Sequence, residues 1–154
     1  MRIISEQPII FNVDEKYDTV YQYFNRKQEN KDYVFENGQL FLVCVALGYR
    51  NSIKIPLNKK GITLTRGNVY KRDEENLLLN IVYSEFKDLK KISDYENRSE
   101  IKKILEEYAN GGMNLLIEKV LIDYWDGEKL DNTIDDYHFL ISKYILSEVN
   151  NIPF

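Results

Sequence analysis

Cys44 and His138 are the sole cysteine and the sole histidine of the chain, so nucleophilic catalysis of the Cys-His kind would have to use this one pair. Cys44 sits inside the apolar run Leu40 to Leu47, where a thiol behaves as a small hydrophobe with a raised pKa. His138 follows Asp135 and Asp136 on an expected helix, the setting of a solvated imidazole rather than of a general base. A structural zinc site needs several Cys or His ligands and is excluded on inventory. Asp73 with Glu85-Phe86-Lys87 has the outline of a nuclease metal site. These groups belong to one expected helix, however, whereas that chemistry draws its ligands from paired strands. Asp123, Asp126, Glu128, Asp131, Asp135 and Asp136 form a denser acidic cluster that could collect Mg²⁺ or Ca²⁺. It lacks the alternating acids, central Gly and terminal Glu of a calcium loop, and reads as a solvated loop and helix cap. Gly48 and Gly111-Gly112 lack the Gly-Lys-Ser/Thr ending of a phosphate-binding loop. No catalytic residue, metal or cofactor is expected.

Charge carries more information. The net value of −4 conceals a segment, 37–72, that holds seven basic residues and no Asp or Glu. They are Arg50, Lys54, Lys59, Lys60, Arg66, Lys71 and Arg72. The last third, 104–154, has three basic residues against ten acidic ones. Screening over roughly 8–10 Å makes local charge count for more than net charge, so an acidic protein can still hold a polyanion on such a segment. The alternative is a self-neutralising fold, with the basic segment against the acidic C-terminal third.

The elements that would position these charges are mostly helical. Asp14 can cap a helix over roughly 14–28 whose face is Val13, Tyr17, Val20, Tyr21 and Phe24. Leu40 to Leu47 could be a buried strand or a buried helix; Asn37 as a cap and Gly48 as a stop favour helix. Over 49–70 the pattern alternates, with Ile53, Ile55 and Leu57 on one side of Asn58-Lys59-Lys60-Gly61 and Ile62 and Leu64 on the other, as in a β-hairpin displaying its lysines. A third helix starts at Asp73-Glu74-Glu75 and should end near Lys90-Lys91. A fourth begins around Asn97 and is expected to stop at Asn110-Gly111-Gly112, with Gly111 at positive φ, because Tyr108 and Met113 lie five residues apart and break the helical phase. A fifth follows over Met113 to Tyr124, and a sixth is capped by Thr133 and buries Tyr137, Leu140, Ile141, Tyr144 and Ile145. The fold class is therefore mainly α: a single-domain bundle over 1–154 of about six helices, with one possible basic β-hairpin near 52–66. The longest apolar run has eight residues against the roughly 20 of a spanning helix, so no membrane segment is expected. One cysteine and no leader-like N-terminus point to a reducing cytoplasm.

Two stretches resemble a known family. Leu40-Phe41-Leu42-Val43-Cys44-Val45-Ala46-Leu47-Gly48-Tyr49-Arg50 is followed by Lys54-Ile55-Pro56-Leu57, and later comes Ile104-Leu105-Glu106-Glu107-Tyr108-Ala109-Asn110-Gly111-Gly112. In order and spacing these look like the small bacterial DNA phosphorothioation-associated, or dnd system-associated, protein 4, over roughly residues 35–122. The Tyr-rich first helix and the Tyr137 to Ile145 helix lie outside the likeness. The resemblance implies a link to sulfur-modified DNA or to prokaryotic anti-phage restriction, and brings no catalytic residue.

Three function classes follow. The first is a non-catalytic accessory subunit that docks on a larger ATPase or nuclease and contacts DNA phosphates through Arg50, Lys54, Lys59, Lys60, Arg66, Lys71 and Arg72, without reading base sequence. The second is a protein adaptor whose basic segment meets an acidic surface. The third is a divergent metal-dependent nuclease. Oligomeric state is not legible in the sequence.

Overall fold

The apolar run Leu40 to Leu47 forms the middle of the helix around which everything else is arranged. The computed structural model describes residues 2–25, 35–58, 61–131, 133 and 136–150. Its elements are β1 (Ile10–Val13), α1 (Glu15–Phe24), α2 (Asn37–Arg50), β2 (Ile62–Arg66), α3 (Arg72–Phe86), α4 (Leu89–Ser93), α5 (Arg98–Leu116) and α6 (Tyr137–Asn150). The class is mainly α, as the periodicities predict. Among the described residues no helix is long and apolar enough to cross a membrane.

α2 buries Leu40, Phe41, Cys44, Val45 and Leu47, and its N-terminus is closed by Glu36, whose backbone N–H donates to Gln39 Oε1. Each large apolar side chain so buried is worth about 1.5–3 kcal/mol against exposure. The helix does not stop at Gly48. It runs on to Arg50 and ends where Ser52 takes φ 55°, with Ile53 N–H donating to Gly48 O and Ser52 N–H to Tyr49 O. That is the Schellman closure, here built on serine in place of glycine.

The alternating stretch after α2 is not a strand. Ile53, Ile55 and Leu57 are half-buried while Ser52, Lys54 and Pro56 are exposed, so the two faces are as the pattern predicts. The inner face lies on α5, however: Ile55 N–H donates to Glu107 O, and Pro56 has no N–H to give a ladder. β2 pairs instead with the distant β1, antiparallel, Ile10 opposite Arg66 and Val13 opposite Ile62, with an irregularity between Phe11 and Asn12. A two-stranded antiparallel ribbon is present, with its second strand in the expected stretch and its first from the N-terminus. Lys59 and Lys60 lie outside the described residues.

α1 ends at Phe24, short of the expected boundary, and Asp14 stands at its N-cap position without capping it. α3 ends at Phe86, where Lys87 adopts φ 53°; a separate short helix, α4, carries Lys90 and Lys91. Leu89, inside the span expected for the third helix, opens α4 instead and is exposed.

The largest correction concerns Gly111-Gly112. α5 runs unbroken through both from Arg98 to Leu116, and the positive-φ glycine of the described chain is Gly127. The broken phase has another cause. At this level α5 is enclosed on all sides, with Tyr108, Ala109, Asn110, Gly111, Gly112 and Met113 all buried, so no single stripe exists. Beyond Leu116 the helix widens into a π-helical stretch (Ile117–Leu121) and a 3₁₀ turn (Ile122–Tyr124) in place of an independent fifth helix.

α6 starts at Tyr137, after Asp136, whose carbonyl accepts from Phe139 and Leu140 N–H. Thr133 does not cap it; its hydroxyl and N–H both donate to Asp131 Oδ1. Tyr137 is fully buried among Tyr23, Phe24 and Tyr124, with ring centroids 4.9, 6.4 and 5.5 Å away. This aromatic cluster joins α1 to α6.

Candidate nucleic-acid interface

The two stretches that carry the family likeness meet at the crossing of α2 and α5. Glycines on both helices let the backbones touch: a β-carbon on Gly48 would lie 2.1 Å from Tyr108 O, and one on Gly111 would lie 2.1 Å from Ile53 O. Asn110, only 1% exposed, donates to Asp14 Oδ2 at 3.2 Å, and Asp14 Oδ1 accepts from Asn58 N–H. The Tyr108 to Gly112 string is thus part of the packed interior and not an open ligand loop.

At the rim of this crossing the basic residues begin. Lys54 Nζ lies 3.1 Å from Glu85 Oε2 and over the ring of Tyr108, whose hydroxyl donates to Glu85 Oε1 in a short hydrogen bond. That bond, with Lys54 behind it, holds the Glu85 carboxyl below its ordinary pKa, while burial and the Glu85 charge push the Tyr108 phenol up. Arg50 pairs with Glu148 at 3.3 Å and also donates to the Glu148 backbone carbonyl. The carbonyl bond adds to a partly exposed ion pair that by itself is worth about 0–1 kcal/mol. Among the described residues, Lys54 and Arg50 are therefore engaged by carboxylates, Arg50 by one in the acidic C-terminal third.

Arg66, Lys71 and Arg72 differ. All three are exposed, and among the described residues no carboxylate lies within ion-pair distance of them. Arg66 ends β2, a single 3₁₀ turn (Gly67–Val69) follows, and Lys71 and Arg72 open α3. Hydrogen bonds tie the corner to its neighbours. Gly67 N–H donates to Ile9 O, and Tyr70 OH donates to Gly38 O at 2.9 Å. Asp73 and Glu74 share the first turn, and Glu74 Oε2 accepts from Lys71 N–H, which turns one carboxylate onto the backbone. Glu75 points inward, where it is fully buried and accepts from Ile4 N–H, Ser5 N–H and the Ser5 hydroxyl, with Arg2 at 3.0 Å. The arrangement can present three guanidinium or ammonium groups beside a helix N-terminus, which suits phosphate oxygens.

The other chemical candidates separate. Asp73 and Glu85 stand at opposite ends of α3, with Lys87 just past it, and Glu85 is held by Tyr108 and Lys54. Asp126 and Asp131 are spent on their own loop, accepting from Glu128, Lys129 and Thr133, and the described residues contain no group of three His, Cys, Asp or Glu placed to hold a metal. Cys44 is fully buried, and burial pushes its thiol up to about 12. His138 is half-buried on α6, remote in sequence and element from Cys44.

The family model for DNA sulphur modification system-associated protein 4 matches residues 13–132. The chain belongs to that family. No curated protein and no solved structure matches it. In this member of the family the matched span covers α1 to α5, the ribbon strand β2 and the basic corner Arg66, Lys71 and Arg72, while α6 lies beyond it. Glu148 belongs to the acidic last third that the sequence offered as a counterweight to the basic segment, whereas Glu85 and Tyr108, which hold Lys54, had no signal in the sequence for that role. Arg50 and Glu148 are 98 positions apart.

Proposed function

We propose that this chain is a non-catalytic accessory subunit of a prokaryotic anti-phage defence system linked to DNA phosphorothioation, working in the cytoplasm. It docks on a larger ATPase or nuclease and touches the DNA backbone. The observation that supports the DNA contact is the corner Arg66, Lys71 and Arg72, exposed and without ion-paired carboxylates among the described residues. Lys59 and Lys60 belong to the same acid-free segment. Contacts of this kind position a protein on the duplex without reading base sequence.

The test is DNA affinity as a function of salt. Each neutralised phosphate contributes about −0.9 to the log-log slope, so three contacts give a slope of about −3. Arg66→Glu with Lys71→Glu should weaken all duplex sequences alike and flatten the slope by about 2. No binding at low salt by the folded protein defeats the DNA contact.

A second reading, an adaptor without DNA contact, draws support from Arg50, which already neutralises Glu148 in the acidic third. Charge reversal at Arg66 and Lys71 would then leave DNA behaviour unchanged and weaken association with the partner.

A further inference from the structure

We infer that the outer face of α3 reads base edges in the major groove of duplex DNA, while the corner Arg66, Lys71 and Arg72 grips the phosphates beside it. Arg72, Asn76, Asn80, Tyr83 and Lys87 are all exposed, and their spacings of four, four, three and four set them in one row along the helix and its C-cap. The opposite side is packed, with Glu75, Leu78, Leu79, Ile81 and Val82 buried.

Charge identifies the occupant, because the fold withdraws carboxylates from this row. Glu74 accepts from Lys71 N–H, Glu75 lies inside with Arg2, Ile4 and Ser5, and Glu85 is held by Tyr108 and Lys54. Of the acids of α3, Asp73 alone stays outward. Between Asp73 and Glu85 the exposed residues are Asn76, Leu77, Asn80 and Tyr83, all uncharged in a chain of which 30% is charged. A neutral middle of amide donors and acceptors, with Lys71 and Arg72 at one end and Lys87 at the other, matches base edges between two lines of phosphates. The 15 residues of α3 span about 22 Å against a groove about 12 Å wide, so the cationic ends reach the backbones on both sides. An Asn amide pairs bidentately with N6 and N7 of adenine, and Leu77 can meet a thymine methyl.

The inference rests on the DNA-contact reading and adds base readout to it. The test is selection by the full chain, at low salt, from a library of duplexes with randomised centres, followed by fluorescence anisotropy on the selected duplex and on a scrambled one. The recovered duplexes are expected to share a core containing adenine and to bind about tenfold tighter than the scrambled duplex. Asn76→Ala with Asn80→Ala should bring the two duplexes to equal affinity, while melting temperature and the salt slope stay as in the wild type. Lys87→Ala should reduce the steepness of the slope by about 0.9 on every duplex. Binding without enrichment, or a preference that survives the double substitution, overturns the readout and leaves the backbone contact standing. A slope unchanged by Lys87→Ala overturns the placement of α3 in the groove. No DNA binding at low salt by the folded chain defeats the backbone contact itself, and the readout with it.

Discussion

A β-carbon on Gly112 would stand 1.8 Å from the carbonyl oxygen of Cys44, so at this point the backbones of α5 and α2 are in direct contact. Alanine here cannot be accommodated by turning a side chain aside; one helix has to move. Gly112→Ala and Gly48→Ala should each destabilise the protein by about 3 kcal/mol or more, as severe overpacking does. Urea unfolding checks this, and a loss below about 1 kcal/mol would mean that the helices separate easily. Gly111→Val should destabilise for the same reason, through Ile53 O, and not through a strained φ.

Asn110 and Asp14 form a buried pair that ties the middle of α5 to the start of α1. Asn110→Ala leaves the buried carboxylate one donor short, and should cost about 1.5–3 kcal/mol. Chemical denaturation measures it. A protein that keeps its stability but loses a binding partner would show that this motif has a ligand role and is not structural alone.

Glu75 anchors the first residues of the chain to α3. Glu75→Ala strands Ile4 N–H, Ser5 N–H and the Ser5 hydroxyl and removes the carboxylate beside Arg2, with an expected loss of about 3–5 kcal/mol. Hydrogen exchange at Ile4 and Ser5 should rise before the rest of the core opens. Unchanged protection there would show that the segment is held by packing alone.

Glu85 gives the protein a pH dependence of known sign. Its folded pKa lies below the ordinary glutamate value of 4.5, chiefly because Tyr108 donates to it. The stabilisation is therefore complete above 4.5 and is lost as pH falls from that value through the folded pKa. Glu106 acts in the opposite sense, since burial raises its pKa and protonation relieves it. Comparing the wild type with Glu85→Gln cancels Glu106: the stability gap between them should close on acidification below about 4.5. A gap that is constant with pH would show that the Tyr108 and Lys54 contacts do not favour the charged carboxylate.

The sequence by itself determined which segments are helical and which faces turn inward. Spacings such as Leu78, Ile81 and Val82 on α3, or Tyr137 and Ile141 on α6, are set within two turns of one element, and burial follows them. Even the alternation through Ile53, Ile55 and Leu57 marks its faces truly, because an extended chain has the period of a strand whatever it lies against.

Tertiary structure decided what each face meets. Nothing near Ile62 indicates that its strand partner is Val13, and nothing near Gly111 indicates a crossing helix at Ile53 and Cys44, since both depend on chain brought in from far along the sequence. The same holds for charge. Composition made 37–72 basic, but only the fold set Glu148 against Arg50 and Glu85 against Lys54, leaving Arg66, Lys71 and Arg72 exposed with no carboxylate paired to them among the described residues. Periodicity is a local property of the backbone, whereas pairing is a property of the packed whole, so the helices were legible and the division of the basic residues into paired and exposed ones was not.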